Sequence, residues 1–591
     1  MTTQSAQSDS PSGSASAWPA MSLQQAHALL TQPGSPFEIE DVQIDGRTVK
    51  WWKNAPSTLR QTFQVAASHG EKTFLVYEQD RVSFDAFKRA TLALAAELQA
   101  QGVQPGDRVA VIMRNLPEWP VAFFAGALIG AIVAPLNAWW SSAELLHGLN
   151  DSGATTAIVD PERLAAILPL LDQTPALKRI YACRTDALPE DARVTALEAV
   201  IGATAQWPAL PEGLMPDVEL TPETPATLFY TSGTSGRAKG ALGTHRNAGC
   251  GLMAIQFSIV RTMLRRGETP RPPAPDAPQG AGLVSIPFFH TTGCNAVLLV
   301  AMAIGQKLVC QRRFDAGEAL ALIERERITS AGGVPAVAIA LMTHPDRDRY
   351  DLSSLELMSY GGAAAPTELV RRIDGDTPHA APGSGWGMTE TSAAHTHHAG
   401  QDYSQRPASC GPALPVGEVK VVDEQGRTLP VGEQGELLVY GPNIVTGYWN
   451  RPEDTAVTFV DGWVRTGDIA RIDEEGFVFI VDRKKDIIIR GGENIYCQEV
   501  EDAIYSHPAV AEAALVARPH PVLGEEAVAF VTLIPGETAS ADTLKAFVAE
   551  RLAAFKVPAD IRIQAAMLPR NAAGKIIKTE LKSALVGECA A

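Results

Sequence analysis

Cysteine is scarce. The 591 residues hold seven (Cys183, Cys250, Cys294, Cys310, Cys410, Cys497 and Cys589), an odd number, widely scattered and never spaced C-x-x-C. That argues against a disulfide framework or a zinc ribbon and for a reducing compartment, the cytoplasm. Long apolar runs are missing too. The longest, Pro120 to Leu136, is short for a membrane span and is interrupted by Gly126, Gly130 and Pro135. It reads as a buried helix running into a buried strand, so no integral membrane segment is expected. Positive charge is in deficit: 50 Lys and Arg against 67 Asp and Glu leave a net charge of −17, with no basic stripe to offset it. Nucleic acid is therefore not an expected partner. There is no internal repeat and no heptad pattern. Residues 1–20, MTTQSAQSDSPSGSASAWPA, lack the basic start and apolar stretch of a secretory signal and read as a disordered polar tail.

Apolar residues make up 46% and charged residues 20% of the chain, enough to bury globular cores. At roughly 150 residues per domain, the length calls for several domains. From about Val109 onward, short apolar strands alternate with helical stretches, the pattern of a parallel, layered α/β sheet. RVAVIM, AIVAPL, TTAIVD, LVSIPFFH, KLVCQRRF, ITSAGGVP and LELMSYGG read as strands. Asp315 is placed to cap the helical stretch GEALALIERERI. In open parallel sheets the ligand crevice lies beyond the carboxyl ends of strands, which here points to His290, Gly333, Gly361 and Gly362. Past Cys410 the texture turns to short alternating strands, with Gly426 and Gly476 marking hairpins, and a β-rich subdomain is expected. The run Asp482 to Asp486 then precedes about 105 residues with their own βαβ-like pattern, long enough for a separate small domain. Arg265 to Gly280, rich in proline, reads as a surface loop. The expected division is a tail over 1–20, a large domain over 21–484 and a C-terminal domain over 485–591.

The most informative string is YTSGTSGRAKG, Tyr230 to Gly240, which sets four hydroxyl side chains of Ser and Thr and three glycines around Arg237 and Lys239. Such a loop can bring backbone N–H groups, hydroxyls and a cation to a polyphosphate. A Walker A loop fails on spacing, because Lys239 is followed by Gly240 and Ala241 rather than by Ser or Thr.

With this string the sequence resembles the adenylate-forming enzymes: acyl-CoA synthetases, peptide-synthetase adenylation domains and luciferases. The likeness covers nearly everything after about residue 50. Five further strings occur in that family's order: PFFHTTG, YGGAAAP with GSGWGMTE, WVRTGD, VDRKKDIIIRGGENI and LPRNAAGKIIK. The resemblance implies a fold of class α/β: a large N-terminal domain of layered α/β subdomains plus a β-rich subdomain, and a small, mobile α+β C-terminal domain. It also implies roles. Thr231, Ser232, Gly233, Thr234, Ser235, Gly236 and Lys239 would hold the pyrophosphate end of ATP, with Ala238 standing where proline is usual. His290 would close over the carboxylate, and Ala363 and Ala364 would line the purine with Trp386 stacked on it. Thr389 would contact the α-phosphate and Glu390 would coordinate Mg²⁺. Asp468 and Arg483 would bind the ribose, with Lys485 at the hinge. Gly491, Gly492 and Glu493 would line the thiol tunnel when the small domain rotates, and Lys575 would be the essential catalytic lysine, although Ala573 replaces the usual Ser or Thr before Gly-Lys.

Taken alone, several of these residues read more plainly: His290 as a core histidine, Trp386 as a core aromatic, Glu390 as a solvated acid. Cys497, where the family commonly has proline, reads as an ordinary partly buried thiol, and His395 to His398 as loop histidines rather than a metal site.

By resemblance the expected activity is acyl-CoA synthesis. A carboxylic acid and ATP give acyl-AMP and pyrophosphate, and coenzyme A then gives the thioester and AMP. A carboxylate approaching the α-phosphate meets like charge worth roughly 4 kcal/mol per pair at ~4 Å, so local cations are needed. The Gly- and Ala-rich pocket segments favour a medium or long, or a branched, aliphatic acid, with aryl or arylalkanoic acids second and acetate disfavoured. A protein that loads a carrier's pantetheine is the alternative enzyme, and a non-catalytic nucleotide sensor is the alternative of a different class. Little chain follows Lys575, so no carrier or reductase domain is expected. The expected partners are small molecules (the acid, ATP and CoA), with a homodimer left open.

Overall fold

Pro120 to Leu136 divides as its glycines require. The helix Glu118–Leu128 is buried along its whole length, Gly130 turns the chain at φ +78°, and the strand Ile132–Pro135 follows at once. A residue with a Cβ would be strained at that φ, so the stop after the helix is written in the residue type. In the computed structural model, residues 18–589 are described except 45, 186, 232–236, 272–273, 275–276, 364, 378 and 572–573, with the backbone alone for 586–589. Residues 1–17 of the expected tail, Ser232, Gly233, Thr234, Ser235, Gly236, Ala364 and Ala573 lie outside the described residues.

The helix packs between two large sheets, and the core around Trp119, Phe123 and Phe124 is shared by both layers. The first sheet has seven strands; Arg108–Ile112 lies at its centre between Ile132–Pro135 and Thr156–Val159, all parallel. One edge is antiparallel: Pro225–Tyr230 and Gly240–Thr244 form a hairpin whose connection is the Ser/Gly/Lys string. The second sheet has eight strands, with Ala281–Val284, Ser330–Gly333, Leu357–Gly361 and Ala381–Met388 running parallel side by side. Backbones approach closely there. A Cβ on Gly332 would lie 1.7 Å from the Ser359 carbonyl oxygen, so this position requires glycine. Asp315 caps its helix as expected, accepting the Glu318 N–H at 2.8 Å.

A six-stranded, mainly antiparallel sheet follows, with its hairpin turn at Gly476 between Trp463–Ile472 and Phe477–Arg483. The C-terminal segment builds a five-stranded sheet of its own over a separate core that includes Ile488, Val500, Leu515 and Val531. A large layered α/β unit with a β-rich subdomain, and a distinct α+β C-terminal unit, are thus present.

Three readings need correction. The segment LVSIPFFH is strand only through Val284, because Pro287 withholds a backbone donor and the chain turns toward His290. In the C-terminal unit the pattern is only partly βαβ: Val510–His520 and Gly524–Leu533 pair as an antiparallel hairpin. The helix Ala541–Ala549 then crosses to Asp560–Gln564, which runs parallel to the second of them. The third correction concerns His395, His397 and His398. They lie in the buried strand Ala393–Ala399 rather than a loop, paired antiparallel to Ala381–Met388. His395 and His398 bond the carbonyls of Glu418 and Ser409 at 3.0 and 2.9 Å. Burial pushes the His395 and His397 pKa values down to about 4 and about 3. Among the described residues no group of three or more His, Cys, Asp or Glu is arranged to hold a metal.

Candidate active site

Because the inner strands of the second sheet run parallel, their carboxyl ends open on one side, toward a common cleft. A cavity of about 1070 Å³ lies there, lined by Thr231, His290, Gly362, Ala363, Trp386 and Asp468 together with Arg483, Lys485 and Lys575. A hollow of about 60 Å³ shares His290 and Lys575 with it and is walled further by Ile286, Val334, Met388 and Thr389. His290 is not a satisfied core histidine: its Nε2 is buried and has no hydrogen-bond partner. Burial and the charge of Lys575 push its pKa down to about 3, so the ring is neutral in ordinary buffers.

Asp468 and Arg483 stand opposite each other on neighbouring antiparallel strands, which brings Arg483 Nε to 3.4 Å from Asp468 Oδ1. The other carboxylate oxygen accepts the indole N–H of Trp386 at 2.8 Å. Trp386 therefore reaches the site by bonding Asp468, in addition to any ring face it offers. Burial raises the pKa of Asp468, and Arg483, Trp386 and Lys575 act against that rise. Glu390, 6% exposed, sits in the single turn Thr389–Thr391. Tyr448 donates its hydroxyl proton to Glu390 Oε1, and the Glu390 carbonyl accepts the Val445 N–H at 3.0 Å. Burial raises the Glu390 pKa too, opposed by Tyr448, Lys575 and Arg483.

The remaining cation comes from the C-terminal unit. Asn571 caps its own turn: the Lys575 N–H donates to Asn571 Oδ1 at 3.0 Å and the Asn571 N–H to the Lys575 carbonyl at 2.9 Å. That hairpin is pressed onto the large domain. A Cβ on Gly574 would come within 2.6 Å of a Val334 methyl, and one on Gly362 would meet Lys575 Cε at 3.8 Å. Lys575 thus stands over the end of the strand Leu357–Gly361. Enclosure and the nearby Arg483 push its pKa down to about 8, with Asp468 and Glu390 pulling the other way.

At the hairpin that carries the Ser/Gly/Lys string, the Thr231 N–H donates to the Lys239 carbonyl at 2.9 Å and the Lys239 N–H to Thr231 Oγ1 at 3.3 Å. The Lys239 ammonium lies 5.1 Å from the centre of the Tyr448 ring and donates to Asp454 Oδ1 at 2.6 Å. Neither Tyr448 nor Asp454 stands out in the sequence. They arrive because the segment after Gly447 pairs with the strand Gly240–Thr244, Ala241 opposite Tyr448, and spacing carries no trace of that pairing.

Two further stretches lie apart from the cavity. Gly491, Gly492 and Glu493 are exposed at a hairpin of the C-terminal unit, and none of them lines either hollow. Cys497 is 1% exposed, more deeply buried than expected; its thiol donates to the Asp486 carbonyl at 3.0 Å and burial raises its pKa. As for magnesium, Glu390 offers one carboxylate with one oxygen engaged by Tyr448. That donor set fits a hard cation whose other ligands are phosphate oxygens and water, and no all-protein cage.

The sequence pattern of AMP-binding enzymes matches residues 62–449, and that of the AMP-binding enzyme C-terminal domain matches residues 499–575. The chain belongs to the adenylate-forming enzyme superfamily. It is an enzyme, an AMP-forming acid–thiol ligase. Feruloyl-CoA synthase of Amycolatopsis sp is 35% identical over 502 residues, covering 85% of this chain and 93% of the relative. A long-chain-fatty-acid–CoA ligase of Bacillus subtilis (strain 168) is 32% identical, covering 87% and 92%. Among solved structures, o-succinylbenzoate CoA synthetase from Bacillus subtilis, bound to its acyl-adenylate intermediate, superposes with a TM-score of 0.70 at 29% identity. That superposition covers 88% of this chain and 97% of the other.

Proposed function

We propose that this ligase joins a monocarboxylic acid with an apolar acyl group to coenzyme A in two steps at one cleft. The carrying observation is the position of Lys575, delivered by the C-terminal unit to a strand-end cleft lined by Asp468 and Arg483, within reach of the charge of Glu390. In the first step a carboxylate oxygen attacks the α-phosphorus of ATP, the bond to the bridging oxygen breaks and pyrophosphate leaves. Lys575 supplies positive charge to the α-phosphate oxygens, Thr389 donates its hydroxyl there, and Lys239 and Thr231 hold the departing phosphates. Asp468, fixed by Trp386 and Arg483, accepts the ribose hydroxyls, and Ala363 and Trp386 flank the purine. Glu390 would hold magnesium, which when bound neutralises phosphate charge. His290, neutral, lines the hollow beside Lys575 and can donate one N–H to the carboxylate.

In the second step the thiol sulfur attacks the acyl carbon, the thiol proton is lost and AMP leaves. Lys575 blocks that approach. The C-terminal unit, bounded at 484/485, turns about Lys485 and brings Gly491, Gly492 and Glu493 to the thiol path.

Ile286, Val334 and Met388 among the hollow's walls support an apolar acyl group, and the Gly- and Ala-rich strand-end segments support a medium, long or branched aliphatic acid first. An aryl acid is the second reading, supported by the 35% identity to feruloyl-CoA synthase. The test is a panel of aliphatic and aryl acids with ATP, Mg²⁺ and CoA, following pyrophosphate exchange, AMP and thioester together. CoA should accelerate AMP release. Failure of every acid to support exchange of labelled pyrophosphate into ATP would overturn the reading.

A further inference from the structure

The Lys239 ammonium already has an anion. Asp454, in the first turn of the helix Pro452–Thr458, meets it at 2.6 Å, and the two side chains are 35% and 41% exposed. The contact is not that of a drifting surface chain, because both partners are tied to the same edge strand. Lys239 enters the strand Gly240–Thr244 directly. On the other side the Trp449 N–H donates to the Gly240 carbonyl at 2.8 Å and the Leu242 N–H to the Gly447 carbonyl at 2.9 Å. The Tyr448 N–H donates to Thr455 Oγ1 at 2.9 Å, and that hydroxyl donates to the Arg451 carbonyl at 2.8 Å. Arg451 in turn pairs with Asp151 at 3.1 Å, which also accepts the Tyr230 hydroxyl at 2.9 Å. The Asp454 backbone is thus held one residue from this anchored point.

We infer that Asp454 is an internal counter-ion that occupies Lys239 before ATP binds and is displaced by the pyrophosphate end of the nucleotide. The inference rests on the proposed role of Lys239 in phosphate binding. A half-exposed ion pair is weak, so a polyphosphate carrying several charges displaces it. The displaced carboxylate stays beside the bound phosphates because its backbone is fixed, and like charge there weakens ATP binding and hastens release of pyrophosphate. Asp454 is therefore a positioning residue that trades nucleotide affinity for product release. It shapes the ATP and pyrophosphate constants and leaves the carboxylate constant alone.

The experiment compares wild type, Asp454→Asn and Asp454→Glu in steady state. It also compares Lys239→Gln with and without Asp454→Asn by equilibrium dialysis of ATP, which needs no turnover. Asp454→Asn should lower the KM for ATP and the inhibition constant of pyrophosphate by about two- to fivefold, the reach of one exposed ion pair. The KM for the carboxylic acid should not move, and Asp454→Glu should restore both constants. In the Lys239→Gln background, Asp454→Asn should change ATP binding by less than it does alone. Three results overturn the inference: unchanged constants, weaker ATP binding with a lower kcat in Asp454→Asn, or an equal shift with and without Lys239. Absence of pyrophosphate exchange in the wild type would instead bring down the reading of the whole site.

Discussion

The proposed role of Lys575 gives adenylation a pH limit whose position follows from its surroundings. Its pKa is pushed down from 10.5 to about 8 by enclosure and by Arg483. The side chain acts in its charged form, which dominates below that pH: it is about 90% charged at pH 7 and about 10% at pH 9. For the free enzyme, kcat/KM for ATP should therefore hold level from pH 6.5 to about 7.5 and fall roughly tenfold per unit above 8. The bound nucleotide's phosphates pull the pKa back up, so kcat at saturating ATP should fall later. The assay is pyrophosphate exchange from pH 6.5 to 9.5, beside the reaction of supplied acyl-AMP with CoA. That second half-reaction should rise with pH as the thiol ionises. Lys575→Ala should lower exchange by about a hundredfold or more, leave CoA attack on acyl-AMP largely intact and erase the alkaline fall. A profile that stays flat to pH 9.5, or equal loss of both half-reactions in Lys575→Ala, would refute the reasoning.

Trp386→Phe keeps a ring but removes the donor to Asp468, and a hydrogen bond to a buried carboxylate is worth roughly 1.5–3 kcal/mol. The KM for ATP should rise about tenfold while the KM for the carboxylic acid stays, as steady-state kinetics would show. Lys485→Pro should stiffen the turn between the two units, so the thioester step should slow more than pyrophosphate exchange; equal loss in both would remove the hinge from Lys485. Gly332→Ala sets a Cβ 1.7 Å from the Ser359 carbonyl oxygen at a φ of +141°. It should destabilise the second sheet by about 2 kcal/mol or more, lowering the melting temperature by several degrees.

Much of the site was legible because its residues sit in strings whose neighbours share the task. His290, Thr389, Glu390, Asp468, Arg483 and Lys575 each lie in a short string that closes a strand or forms a turn, and it is the order of those strings, shared with a family, that singles them out; taken alone, His290 and Glu390 read as a core histidine and a solvated acid. The histidines at 395, 397 and 398 misled for the opposite reason. Polar residues in a row suggest a loop, and only the pairing with Ala381–Met388 and the carbonyls of Glu418 and Ser409 make burial tolerable there.

What the sequence settles by itself is local and covalent: where glycine turns the chain at Gly130, where Asp315 starts a helix, and a net charge of −17. What only the tertiary structure decides are the partners of those groups. Lys239 meets Asp454 across 215 residues, and Trp386 meets Asp468 across 82. Such pairs form when sheets stack and edges pair. Periodicity along the chain says which face of a strand turns inward, and nothing in it says which distant carboxylate will be waiting there.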